Sequence, residues 1–85
     1  MANYSVLIKR SAAKELERVP DKLRRQLAKR IQALGENPRP VASEKLTGED
    51  LCRTWQGDRR VVYSIEDAVL TVLVVRIGNR RDVYR

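Results

Sequence analysis

The sequence predicts an α+β protein of two layers, with the element order β-α-α-β-β-β and two amphipathic helices packed on one face of an antiparallel sheet. Three observations support this fold class. A short strand-like run comes first, two apolar stripes with helical spacing follow, and three strand-like runs come last. A chain of 85 residues has room for one core, so residues 1–85 are predicted to form a single domain.

The first half of the chain is predicted to hold one strand and two helices. Residues 4–9 (YSVLIK) are rich in β-forming side chains, which predicts the first strand. Ser11 is predicted to cap a helix over residues 12–19. The Pro-Asp pair that follows suits the first turn of a second helix, which is predicted to end near Gly35. The apolar side chains of this second helix recur at helical spacing, as Leu23, Leu27, Ile31 and Leu34.

The second half is predicted to be a loop followed by three strands. The segment NPRP at 37–40 is incompatible with regular structure and begins a loop that reaches about residue 50. The strands are predicted at 51–56, 60–66 and 69–77, with tight turns between them. The last run, VLTVLVVRI, is apolar almost throughout, so it is predicted to be buried on both faces at the centre of the sheet.

An arginine-lined surface is predicted on the sheet face that points away from the helices. Side chains alternate along a strand, so if Val61 faces the helices then Arg60 faces away from them. Arg53 is on the preceding strand, and Arg76 interrupts the last apolar one. These arginines predict a concave basic surface, closed on one side by residues 80–85.

The charge of the chain indicates an anionic partner. Lys and Arg number 18 against 11 Asp and Glu, which gives a formal net charge of +7. Most of these cations are Arg, whose planar guanidinium matches phosphate oxygens. Nucleic acid is therefore the first expectation, an acidic protein the second and an anionic membrane the third. The alternative is that the charge serves solubility alone.

Several classes of protein are excluded or disfavoured by composition. The chain has no His and one Cys, which excludes the usual zinc and iron sites. Cys52 is predicted to be a small buried hydrophobic residue in a reducing compartment. No apolar stretch approaches the length of a membrane span, and the first residues lack the pattern of a signal peptide. A cytoplasmic location is expected.

Two segments of the chain, GDRRVVYSIED and VLVVRIGNRRDVYR, resemble motifs of the RelE/ParE toxin superfamily, and specifically of its RelE-type branch. The order of the predicted elements is similar to that family over nearly the whole chain. The residues that carry the first motif are Gly57, Asp58, Arg60 and Tyr63. Those that carry the second are Gly78, Arg80 and Tyr84.

The resemblance implies a sheet in which the first strand lies beside the last. It also implies a toxin of a bacterial toxin–antitoxin pair that cleaves messenger RNA in the A site of the 70S ribosome, with no metal or other cofactor. A cognate antitoxin, encoded next to the toxin, would bind and block it. Because the toxin is strongly basic, we expect that antitoxin to be acidic.

The resemblance also assigns catalytic roles. Arg60 and Arg80 would hold the scissile phosphate and its leaving oxygen. Tyr84 would take the proton of the RNA 2′-hydroxyl, helped by neighbouring arginines that favour the phenolate. Further RNA-binding positions are predicted at Arg53, Trp55, Arg59, Arg76 and Arg81. Trp55 would stack on a base, the alternative being a place in the core.

The chain departs from the RelE pattern at three positions. Trp55 stands where a second basic residue is common, Arg59 where an aromatic residue is common, and Asn79 where a histidine is usual. Two alternatives therefore stay open. One is a ParE-like inhibitor of DNA gyrase, and the other is a catalytically weak toxin that acts mainly as an antitoxin-binding co-repressor.

Overall fold

The computed structural model describes residues 3–48 and 50–79, which form two helices and a five-stranded sheet. A short 3-10 turn at Asp67–Val69 joins the last two strands. The predicted α+β fold is confirmed. The elements in chain order are β1 (Ser5–Ile8), α1 (Arg10–Glu17), α2 (Asp21–Glu36), β2 (Glu44–Lys45), β3 (Cys52–Gln56), β4 (Arg59–Glu66) and β5 (Thr71–Asn79).

The sheet has the strand order β1-β5-β4-β3-β2. The first strand lies beside the last, as the family resemblance implied, and the two are parallel. The remaining pairs are antiparallel, so the sheet is mixed rather than purely antiparallel. The two helices that connect β1 to the later strands supply the length that a crossover requires.

Both helices cover one face of the sheet and enclose the core between them. Leu27, Ile31 and Leu34 of α2 are buried at the spacing that the sequence predicted. They join a cluster with buried side chains of the sheet, among them Val61 and Val72. Burying one such aliphatic side chain contributes about 1.5–3 kcal/mol, so this aliphatic cluster is the main source of stability.

Tyr63 is the largest fully buried side chain, and it ties the sheet to the loop before β2. Its hydroxyl donates a hydrogen bond of 2.7 Å to the carbonyl oxygen of Pro38, which is itself buried. Burial raises the pKa of the Tyr63 hydroxyl. The phenol therefore stays protonated and able to donate, which holds the NPRP segment against the core.

The ends of the helices differ from the predictions. The first helix begins at Arg10, and Lys9 is its N-cap without a side-chain hydrogen bond, so the capping role predicted for Ser11 is wrong. Leu23 is 42% exposed because it lies in the first turn of α2, one turn before the buried stretch begins at Leu27.

Two predictions about the strands are also wrong. The last strand is buried on one face only: Val72, Val74 and Ile77 face the helices, whereas Arg76 is exposed on the other face, which none of the described elements covers. The short strand β2 falls inside the predicted loop. Its two residues are both charged and exposed, so no apolar alternation indicated a strand.

Two further findings concern the single cysteine and the lengths of the helices. Cys52 is partly buried and packs against the core, close to the prediction for it. Within the described part of the chain, no helix is both long and apolar enough to cross a membrane.

Candidate active site

The cross-strand register places two predicted arginines in one row on the open face of the sheet. Arg53 of β3 and Arg76 of β5 both pair with Val62 of β4, and directly paired residues project to the same face. A register shift between Val62 and Tyr63 leaves an extra residue on β5 and turns Arg76 to this face. Val62 is only 4% exposed although no helix covers it, so its neighbours in the row shield it.

The second row on the open face contains Arg60. Trp55 and Gly78 are its partners on β3 and β5. Trp55 is partly exposed and stands outside the core cluster, so the alternative that placed it in the core is wrong. The open face therefore carries Arg60 beside an indole ring that could stack on an unpaired base.

Arg60 also lines a groove between the sheet and α1. The groove has a volume of about 350 Å³, and its walls are formed by Ser11, Ala12, Glu15, Arg60 and the β5 residues 75–78. Gly78, the partner of Arg60 on β5, has no side chain and lines the same groove. Its Nε atom is buried and has no hydrogen-bond partner among the described residues.

An unpaired buried donor of this kind is costly. Leaving one buried polar group without a partner costs about 1–3 kcal/mol, and more when the group is charged. A phosphate in the groove would place a negative charge beside the Arg60 guanidinium, and guanidinium–phosphate contacts are charge-assisted. The groove is thus chemically suited to an anion.

Arg53 already has a carboxylate partner. Its Nε and one terminal nitrogen lie 3.2 and 2.8 Å from the same oxygen of Glu44 on β2. The side chain of Arg53 is 28% exposed and that of Glu44 is 63% exposed. Arg53 is held in place by this contact, and it would have to share its donors to contact RNA.

Arg59 is not part of the open face. It pairs with Gln56 and Asn79, and this row projects to the helix side because adjacent residues of a strand alternate. Gln56 accepts a hydrogen bond of 3.3 Å from Nε of Arg30 on α2, which confirms the direction of the row. Arg59 is therefore separated from Arg53, Trp55 and Arg76, which lie on the open face.

Three predicted site residues, Arg80, Arg81 and Tyr84, lie outside the described residues. The described part of β5 ends at Asn79. No group of three or more Cys, Asp and Glu side chains that could hold a metal ion occurs within residues 3–48 and 50–79.

The groove contains two residues that sequence reasoning missed. Ser11 and Glu15 are four positions apart on α1, so they share a face of the helix. Neither belongs to a motif, and both are far from Arg60 along the chain. The spacing on α1 was visible in the sequence, but nothing there indicated that this face meets β5.

A second charged cluster stabilises the opposite end of the sheet. The hydroxyl of Tyr4 donates a hydrogen bond of 2.6 Å to Oδ1 of Asp67. Arg39 donates to both oxygens of the same carboxylate. The hydrogen bond from Arg39 lowers the pKa of Asp67, and the bond to Asp67 raises the pKa of Tyr4.

Comparison with known proteins identifies the family. Residues 6–84 match the family model of the ParE toxin of type II toxin–antitoxin systems. The chain is also 31% identical over 86 residues to a protein of Escherichia coli named as a RelE-like toxin, a match that covers 95% of this chain and 90% of that protein.

Solved structures share the fold. The RelE–RelB complex of Pyrococcus horikoshii matches with a TM-score of 0.83 and 28% identity, covering 94% of this chain and 97% of the matched chain. The isolated RelE toxin of Escherichia coli matches with a TM-score of 0.79 and 30% identity, covering 95% and 90%. The RelBE toxin–antitoxin complex of Mycobacterium tuberculosis matches with a TM-score of 0.85 and 23% identity, covering 94% of each chain, and shows the fold alone. The chain belongs to the ParE toxin family of the RelE/ParE superfamily and is a RelE-like toxin of a type II toxin–antitoxin system.

Proposed function

We propose that this toxin is a ribosome-dependent endoribonuclease that cleaves messenger RNA and so inhibits translation. The observation that carries the proposal is Arg60, whose buried Nε has no partner and which lines a groove open to an anion. Arg53 and Arg76 stand in the adjacent row of the same sheet face. A strand of RNA laid across this face would meet arginines on three neighbouring strands.

The chemistry that such a site can support is attack by the RNA 2′-hydroxyl on its own phosphodiester. Arg60 and Arg80 would bind the non-bridging oxygens of the phosphate, whose charge grows in the transition state. Preorganised donors of this kind are each worth about 10²–10³ in rate. Tyr84 would take part in proton transfer, and Trp55 would stack on a base next to the cut. Arg81, which follows Arg80 in the sequence, would also contact the phosphate.

The partners of this activity would be the 70S ribosome, messenger RNA and a cognate antitoxin. The matched RelE–RelB structure of Pyrococcus horikoshii is a toxin–antitoxin complex, which supports a partner of this kind. The net charge of +7 favours an acidic antitoxin segment, encoded next to the toxin. We expect the toxin to act in the cytoplasm, where ribosomes translate.

One observation favours a second candidate. The matching family model is that of ParE, and ParE-type toxins resemble this chain while inhibiting DNA gyrase rather than cutting RNA. Asn79 in the place of the usual RelE histidine points the same way. A gyrase inhibitor would use the basic face for binding and would leave transcripts intact.

Assays of purified toxin, separated from any antitoxin, distinguish the endoribonuclease from the gyrase inhibitor. Toxin is added to a reconstituted translation reaction, and the message is mapped by primer extension. We expect cuts within codons only when ribosomes are present. If the message stays intact and micromolar toxin inhibits supercoiling by gyrase, the protein is a gyrase inhibitor and not an endoribonuclease. Intact message without gyrase inhibition would favour the co-repressor.

A further inference from the structure

Glu44 and Arg53 belong to one cross-strand row on the open face of the sheet. Arg53 pairs directly with Glu44 of β2 and with Val62 of β4. Val62 pairs in turn with Arg76 of β5. Directly paired residues project to the same face, so the row holds a carboxylate, an arginine, a valine and a second arginine in that order. Its carboxylate therefore stands beside an arginine on the face where we place the RNA.

The contact between Glu44 and Arg53 uses the donors that a phosphate would need. Nε and one terminal nitrogen of Arg53 lie 3.2 and 2.8 Å from the same Glu44 oxygen. These two nitrogens form one edge of the guanidinium, and such an edge binds the oxygens of a carboxylate or a phosphate. Within residues 3–48 and 50–79, neither Arg60 nor Arg76 makes an ion pair. Among these three arginines of the open face, the described carboxylates thus occupy Arg53 alone.

This ion pair can be exchanged without moving the sheet. The side chain of Glu44 is 63% exposed, whereas that of Arg53 is 28% exposed. An ion pair with such an exposed member contributes little to stability, because water and salt screen it. When Glu44 turns into solvent, water hydrates its carboxylate while Arg53 keeps its place on β3. A phosphate that arrives from the open face can then replace Glu44 on the same guanidinium.

We propose that Glu44 is an internal competitor for the RNA phosphate that Arg53 binds, an inference that rests on the proposed endoribonuclease function. In the free toxin Glu44 occupies Arg53, and RNA binds there only by displacing it. This competition lowers the affinity of the toxin for RNA in solution. A message held on the ribosome next to the toxin has a high effective concentration, so it still displaces Glu44. Glu44 thus favours ribosome-bound message over free RNA, and it takes no part in the chemistry of cleavage.

The test measures binding of a single-stranded RNA oligonucleotide whose 2′-hydroxyls are methylated, so that it cannot be cut. Glu44→Gln keeps the size of the side chain and removes its charge. We expect its Kd to be about two- to five-fold lower than that of the wild-type toxin, the range of an exposed ion pair. The logarithm of Kd should also rise more steeply with the logarithm of the salt concentration, by about 0.7, because the phosphate contact no longer replaces an internal ion pair.

Two comparisons separate this competition from a change in net charge. Glu66 lies on the same face as Val62, about 13 Å further along β4 and beyond the screening length of about 8 Å. Glu66→Gln removes the same charge, and its Kd should stay close to that of the wild-type toxin. In an Arg53→Gln background, Glu44→Gln should have no effect on Kd. Equal Kd values for Glu44→Gln and Glu66→Gln, or an effect of Glu44→Gln that persists without Arg53, would overturn the proposal.

Cleavage of ribosome-bound message separates this proposal from the function on which it rests. We expect Glu44→Gln to lower KM and leave kcat unchanged, since the carboxylate contacts no reacting atom. A lower kcat would place Glu44 in the chemistry and overturn its role as a competitor. If the wild-type toxin cuts no message while the binding results hold, the endoribonuclease function fails and the competition at Arg53 stands.

Discussion

Arg60 of β4 lies directly opposite Gly78 of β5, and both residues line the groove at α1. A side chain at position 78 would project from the same face as Arg60, next to it in the same cross-strand row. The second motif thus contributes Gly78, which has no side chain, to the wall of the groove.

Replacing Gly78 by valine should therefore remove activity while leaving the sheet intact. Valine favours strands, so we expect little change in melting temperature. Messenger RNA cleavage should fall by about 10²-fold or more, as for loss of one transition-state donor. Cleavage and thermal unfolding of the same preparation check this. Full activity in Gly78→Val would mean that Arg60 does not act through the groove.

The neighbours Arg59 and Arg60 form a natural pair for mutation, because they project to opposite faces of β4. Arg60→Ala should lose about 10²–10³ in cleavage rate. Arg59→Ala removes the same charge from the chain and should have a much smaller effect. Equal losses in the two variants would indicate that net charge, rather than the open face, determines activity.

The hydrogen bond from Tyr63 to Pro38 should contribute measurably to stability. Tyr63→Phe leaves the buried Pro38 carbonyl without this donor, at a cost of about 1–3 kcal/mol. In a domain of this size each kcal/mol shifts the melting temperature by about 4–8 °C. Tyr4→Phe is the control, because it also removes one hydroxyl but from a hydrogen bond at the surface. Similar melting temperatures for both variants would contradict the role of the buried bond.

The cluster around Asp67 predicts how stability depends on pH. The pKa of Asp67 is lowered in the folded protein, so its contribution is fully present above the unfolded value of about 4. That contribution is lost as the pH falls through the lower folded value. In Asp67→Asn, the free energy of unfolding should therefore fall less steeply as the pH is lowered into this range. Denaturant unfolding between neutral and acid pH measures it, and parallel curves for the two proteins would exclude the cluster as its source.

Periodicity and motifs in the sequence predicted the fold class, both helices and the open face with Arg53, Arg60 and Arg76. They succeeded because alternation along a strand and spacing along a helix are local properties. What they missed depends on contacts between distant segments. Glu15 lines the groove only because α1 lies against β5. Arg59 is outside the open face because its row faces α2. The strand β2 was missed because its two charged residues carry no apolar pattern.

The position of β5 has a consequence for synthesis of the toxin. This strand lies between β1 and β4, yet it is the last described element along the chain. Ser5 pairs with Thr71, so the pairing must wait until nearly all of the described chain has been made. A nascent chain that ends before β5 lacks the strand that pairs with both β1 and β4, together with Arg76 and Gly78. The groove beside α1 cannot form until the β5 residues that line it have been made.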